Sequence, residues 1–302
     1  MGGVGEQDVT AAPIRARQGT RPPRWRAAAL LLAGALAATA CEPPGADAQP
    51  ARSLNVRAPS APAPGVSPQD PFRGSPAYDY GNGAAGIRPP AAKPVAGFSA
   101  SQVRDHLQTV KRALILANLD QKVWQGARPT ALIKLFDPRD GYRTRVTRTF
   151  GRPSAGDNPL TIATRFKPSE ATVHGEIVKV RGKMTFRGME RGRLRVHADY
   201  LFVYAVRPAG GPVRQVERVV VRRTTDYDFY DPARFQVTPG TFVLAKSRFR
   251  SANAKCDQDD GFIHPSFNDV PADGSIPSGA PIDPYDLNNK GNVQECRPTS
   301  RT

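Results

Sequence analysis

The side chains able to do chemistry are few and scattered. The four histidines, His106, His174, His197 and His264, form no His-Glu-x-x-His or His-x-x-x-His pair, so the spacing that holds a zinc ion is missing. Gly-x-Ser-x-Gly does not occur, which removes the strand-turn-helix elbow of a serine hydrolase. Asp257-Gln258-Asp259-Asp260-Gly261 puts its oxygens at the wrong offsets for a calcium loop and reads as a polar turn. A cysteine nucleophile beside a histidine needs a free thiol. The chain has three cysteines, Cys41, Cys256 and Cys296, and an odd number calls for an explanation. No catalytic set, metal site or cofactor is expected.

The surroundings of Cys41 supply that explanation. Five arginines, Arg15, Arg17, Arg21, Arg24 and Arg26, precede an uncharged run over residues 27–40. A basic region, a short apolar run and small residues before a cut are the parts of an export signal. The run is shorter than the roughly 20 residues a helix needs to span a bilayer. Ala38-Thr39-Ala40-Cys41 resembles the bacterial lipobox, in which the cysteine thiol receives a diacylglyceryl group and the chain is cut before it. One position departs from that family: Ala38 stands where leucine is usual. An ordinary A-x-A cut, giving a freely secreted chain, therefore stays open. The lipobox resemblance implies a lipid on Cys41 and residence at the outer face of the cytoplasmic membrane. It also leaves Cys256 and Cys296 as an even pair, able to close a disulfide outside the cell. The closed loop of about 40 residues would contribute roughly 4 kcal/mol in the entropic model. Two free thiols are the alternative.

Composition divides the rest. Residues 41–97 are rich in Pro, Ala and Gly and poor in large apolar side chains, so they read as a disordered linker. The net charge of +16 is uneven: residues 101–255 carry +17 and residues 256–302 carry −5. The division is then a signal peptide at 1–40, the linker at 41–97, a basic domain at 98–255 and an acidic, disulfide-closed tail at 256–302. A basic domain prefers polyanions. An arginine-biased, GC-rich coding sequence would produce the same charge without selection.

Two periodicities position these groups. Ser99 and Gln102 form a capping box, flanked by Phe98 and Val103 as a hydrophobic staple. Val103, Leu107, Val110, Leu114 and Ala117 follow at helical spacing. Pro129 could open a second, short helix through Phe136. Beyond Asp140 the period becomes two, predicting strands over 172–187, 193–206, 213–229 and 241–249, with turns at 189–192 and 208–212. Tyr200, Tyr204 and Tyr227 fall on the apolar side.

Helices followed by long antiparallel strands give an α+β fold. The order resembles the cystatin-like and NTF2-like architecture, which implies an N-terminal helix packed on a curved antiparallel sheet. The whole chain is similar to secreted lipoproteins of unknown function from high-GC Gram-positive bacteria, on its signal, its linker and the phrases Asp228-Phe229-Tyr230-Asp231-Pro232 and Asp260-Gly261-Phe262-Ile263-His264-Pro265. That likeness implies no activity.

The polar side of the sheet would gather Lys179, Arg181, Lys183, Arg193, Arg195, Arg214, Arg218 and Arg222. Like charges opposed across strands destabilise, so such a face gains from an anionic partner or from acids such as Asp199 and Asp226. The sequence leads us to expect a lipid-anchored, non-catalytic binding domain. Its partners would be the membrane, through the anchor, and an anionic lipid, a wall polymer or an envelope protein. A nucleic-acid partner is not expected. The alternative is an NTF2-like small-molecule pocket or enzyme, built around Tyr200, Tyr204 and a buried acid.

Overall fold

Ser99 does what its neighbours predict. In the computed structural model, which describes residues 66–190, 192–212, 215–255, 259–267 and 282–288, helix α1 (Ala100–Asn118) starts at a complete capping box. The Ser99 hydroxyl accepts from the Gln102 N–H, and the Gln102 side chain accepts from the Ser99 N–H. Two of the donors that a helix start leaves open are thereby satisfied. Val103, Leu107, Val110, Leu114 and Ala117 are all buried. Three short helices follow: α2 (Gln121–Trp124), α3 (Thr130–Ile133) and α4 (Tyr142–Thr149). The helix expected from Pro129 is thus shorter than its apolar pattern, and Pro129 caps it rather than opening it.

The period-two segments form one antiparallel sheet. Its strands are β1 (Gly81–Asn82), β2 (Ala171–Met189), β3 (Arg193–Pro208), β4 (Glu217–Tyr230) and β5 (Val243–Ala252), neighbours in chain order. β2, β3 and β4 follow one another through short connections and need no crossover, whereas the helices lie between β1 and β2. The fold is α+β, with a five-stranded open sheet and a few helices.

The two sides of the sheet are both covered. Val196, Ala198, Tyr200, Phe202, Tyr204 and Phe229 share one buried cluster with the apolar face of α1. The His106 ring stacks on Phe229 with centroids 4.2 Å apart, and the Tyr204 hydroxyl donates to the Asn118 carbonyl at 2.7 Å. On the opposite side, Leu201, Val203, Ala205, Val216 and Val220 form a second cluster with Phe72, Ala77, Tyr80 and Tyr285.

That second cluster corrects the linker boundary. Residues 66–97 were expected to be linker, yet Phe72, Ala77, Tyr80 and Ile87 are buried and β1 pairs with β2. Each large side chain withdrawn from water contributes about 2 kcal/mol. A few such anchors suffice where a finished sheet supplies the other half of the contact. The acidic tail likewise packs on the domain in its described parts: Ile263 bridges Phe166 in parallel, and Tyr285 meets Tyr80 edge-on. Cys41, Cys256 and Cys296, with the lipid and disulfide assigned to them, lie outside the described residues. Among the described residues no helix is long and apolar enough to cross a membrane.

Candidate functional site

The outward side of β3 and β4 is a ladder of opposite charges. Register sets Arg195 opposite Asp228 and His197 opposite Asp226. Arg195 grips Asp228 with two parallel bonds, Nε to Oδ1 at 2.7 Å and Nη2 to Oδ2 at 2.8 Å. Asp228 is 2% exposed, and Arg193 Nη1 lies 3.5 Å from the same Oδ2. His197 Nδ1 is 2.6 Å from Asp226. Burial alone would raise the Asp226 carboxyl, but the bond from His197 and the charge of Arg195 hold it below its usual range. Arg222 closes the ladder with a bidentate grip on Asp199, at 3.0 and 2.8 Å. Paired forks of this kind are the strong form of an ion pair.

The remaining cations of that side are occupied by the covering segments. Arg218 is buried and donates to the carbonyls of Pro71 and Arg73 at 2.6 and 2.7 Å. Lys179 donates to the Tyr78 carbonyl at 2.8 Å, and Arg181 lies over the Tyr80 ring. Lys183 is exposed, in register with Asp199. Arg214 lies outside the described residues. The eight basic residues therefore do not form one free anion-binding face. Aspartates alternate with the arginines on the same parity, and a folded segment covers the rest.

Beside Lys179 the sheet edge opens into a groove of ≈ 310 Å3. A bulge between Val173 and Val178 shifts the register of β2 there, as bulges do next to functional openings. Asp70, His174 and Glu176 line it with Tyr78 and Ile177, both about half exposed.

Unspent positive charge lies on the helical side instead. Residues 100–167 hold 13 Lys and Arg against five Asp. Of those acids, Asp120 caps α2, Asp157 pairs with Arg145, and Asp137 accepts from the backbone of Arg139 and Thr238. Arg128, Arg148 and Arg152 are exposed and make no ion pair among the described residues. They meet at one turn: the Arg152 N–H donates to the Arg148 carbonyl, and Arg128 Nη2 lies 3.5 Å from where a side chain at Gly151 would begin. The C-terminal end of α4, with its partial negative charge, helps to hold cations there.

Tyr200 and Tyr204 are fully buried, in the same cluster as the apolar face of α1. One inward group was passed over in the sequence: Arg223. The alternation of β4 gave the signal, because Arg223 lies on the same parity as Val219, Val221 and Tyr227. His264 was also unassigned. It sits between Glu170 and Asp260, 3.0 Å from each, and Asp260 is bound in turn by Lys167 at 2.6 Å. This clamp fastens the 260–265 segment to the domain. Gly261 makes the turn with φ +81°, and a side chain there would strike Pro159. Among the described residues no group of His, Cys, Asp and Glu has the arrangement of a metal site.

No protein-family model matches this chain, and no curated protein or solved structure matches it.

Proposed function

We propose that this chain is a non-catalytic binding domain of the cell envelope, held at the outer face of the cytoplasmic membrane by a lipid on Cys41. It docks through the arginines of its helical side onto a surface bearing phosphodiester groups. The observation that carries this reading is the contrast between the two sides. Sheet arginines are neutralised by neighbouring aspartates, while Arg128, Arg148 and Arg152 face solvent at one turn and make no ion pair among the described residues. Guanidinium forks match the oxygens of phosphodiesters and stay charged at any physiological pH. The order of a long helix ahead of a strand meander supports a cystatin-like or NTF2-like architecture, used here as a scaffold rather than as a pocket.

The test uses the processed full chain against phosphatidylglycerol vesicles and a soluble phosphodiester polymer, with phosphatidylcholine vesicles as control. Binding is expected to fall steeply between 50 and 300 mM salt, roughly as screening of exposed charges requires. Replacing Arg128, Arg148 and Arg152 by Gln should weaken it at least tenfold with an unchanged melting temperature. Equal binding by this variant, or none by the wild type at low salt, would overturn the reading.

A further inference from the structure

Among the described residues Arg223 is a charge without a counter-charge. It is 1% exposed, on the inward side of β4. Its Nε donates to Asn118 Oδ1 at 3.0 Å, but Nη1 and Nη2 meet no acceptor among the described residues. The guanidinium carbon stands 5.6 Å from the Phe249 ring centroid, so one face of the group is against carbon. Its ionisable neighbours are the hydroxyls of Tyr227 and Tyr204, both pushed up by burial and neutral at physiological pH. Burial pulls Arg223 itself down to about 10, which leaves it a cation. An unpaired buried cation is strongly unfavourable unless an anion accompanies it.

A cavity of ≈ 10 Å3 adjoins the group. Phe136, Ile162, Phe242 and Leu244 supply its apolar wall, and Thr225 and Ser247 its hydroxyls. The Ser247 hydroxyl donates to the Thr161 carbonyl at 2.6 Å. Its 3.3 Å contact with Thr225 is long for a hydroxyl bond. With the Ser247 hydrogen spent on Thr161, Thr225 is the donor in that pair, which leaves Nη1 and Nη2 of Arg223 as the open donors beside the cavity. The space suits one water-sized particle, which excludes a carboxylate or a phosphate.

We propose that this cavity binds a single halide ion, chloride in the natural setting, held by Nη1 and Nη2 of Arg223. The ion neutralises the buried guanidinium and ties β4 to the end of α1 through the bond from Arg223 to Asn118. It is a structural ligand, separate from the exposed arginines of the helical side.

The full chain is melted in sodium chloride and in sodium gluconate at equal ionic strength, and crystals are soaked in bromide. Chloride should raise the melting temperature progressively with concentration, as a ligand specific to the folded state must. Bromide should give an anomalous peak beside Nη1 and Nη2. Arg223→Met should abolish the chloride dependence. If that variant fails to fold, the bromide map decides alone. Equal melting in both salts, or a halide-free cavity in bromide crystals, would overturn the proposal.

Discussion

At the scale of single residues, His106 and Asp140 carry opposite pH dependences. Burial pulls the His106 imidazole down to about 4, against a small opposing effect of Asp105. Between pH 6.5 and 4 the unfolded chain takes a proton there that the folded chain refuses. The stability contributed by neutral His106 is complete above pH 6.5 and is lost as pH falls toward 4. Burial, aided by the Asp137 charge, pushes the Asp140 carboxyl up to about 6. Here the folded state keeps a proton that the unfolded state gives up, so stability falls as pH rises from about 4 to about 6. The two trends offset each other in the wild type, and single variants separate them. Asp140→Asn should raise stability at pH 7 by about 1 kcal/mol and change little at pH 3.5. His106→Phe should flatten the loss on acidification below pH 6.5. Melting temperatures from pH 3.5 to 8 check both, and parallel curves for variants and wild type would refute them. Neither shift was legible in the sequence, because each arises from neighbours that only the fold supplies. Arg223 was legible in principle. Its parity placed it inward, but a strand read by its valines and aromatics hides a charge among them.

Local signals sufficed for the elements whose partners lie nearby in sequence. The capping box of α1 is complete within four residues, and its apolar stripe needs only a surface to meet. Ser99→Ala should cost about 1 kcal/mol, from the cap bond lost at the Gln102 N–H. Chemical denaturation should show it as a shifted midpoint with an unchanged slope, and Ser99→Asp should recover most of it. The alternation of β2, β3 and β4 was legible for the same reason, since the inward side of each meets the core shared with α1. Alternation placed the basic residues on one side, with Asp199 and Asp226 among them, but it does not say which acid stands opposite which arginine. Register alone brings Asp228 to Arg195 and Asp226 to His197.

The whole molecule is a sheet covered on both sides, and the outward cover was the least legible part. Residues 66–97 have the composition of a linker, and their order rests on a few anchors meeting a preformed surface. Phe72→Ala should destabilise by about 2–4 kcal/mol, less than a central core truncation where the strap can shift. Hydrogen exchange should then rise over 66–87 and 282–288, which share the Phe72 cluster, before it rises in α1. Simultaneous exchange throughout would show that the cover and the sheet open as one.

The bridge between Val66 and Val216 has a directional consequence. Val66 packs against the Phe72 cluster, whereas Arg128, Arg148 and Arg152 belong to the helical layer across the sheet. The outward cover and the three arginines thus lie on opposite sides of the sheet, so a partner held by the arginines leaves the cover untouched.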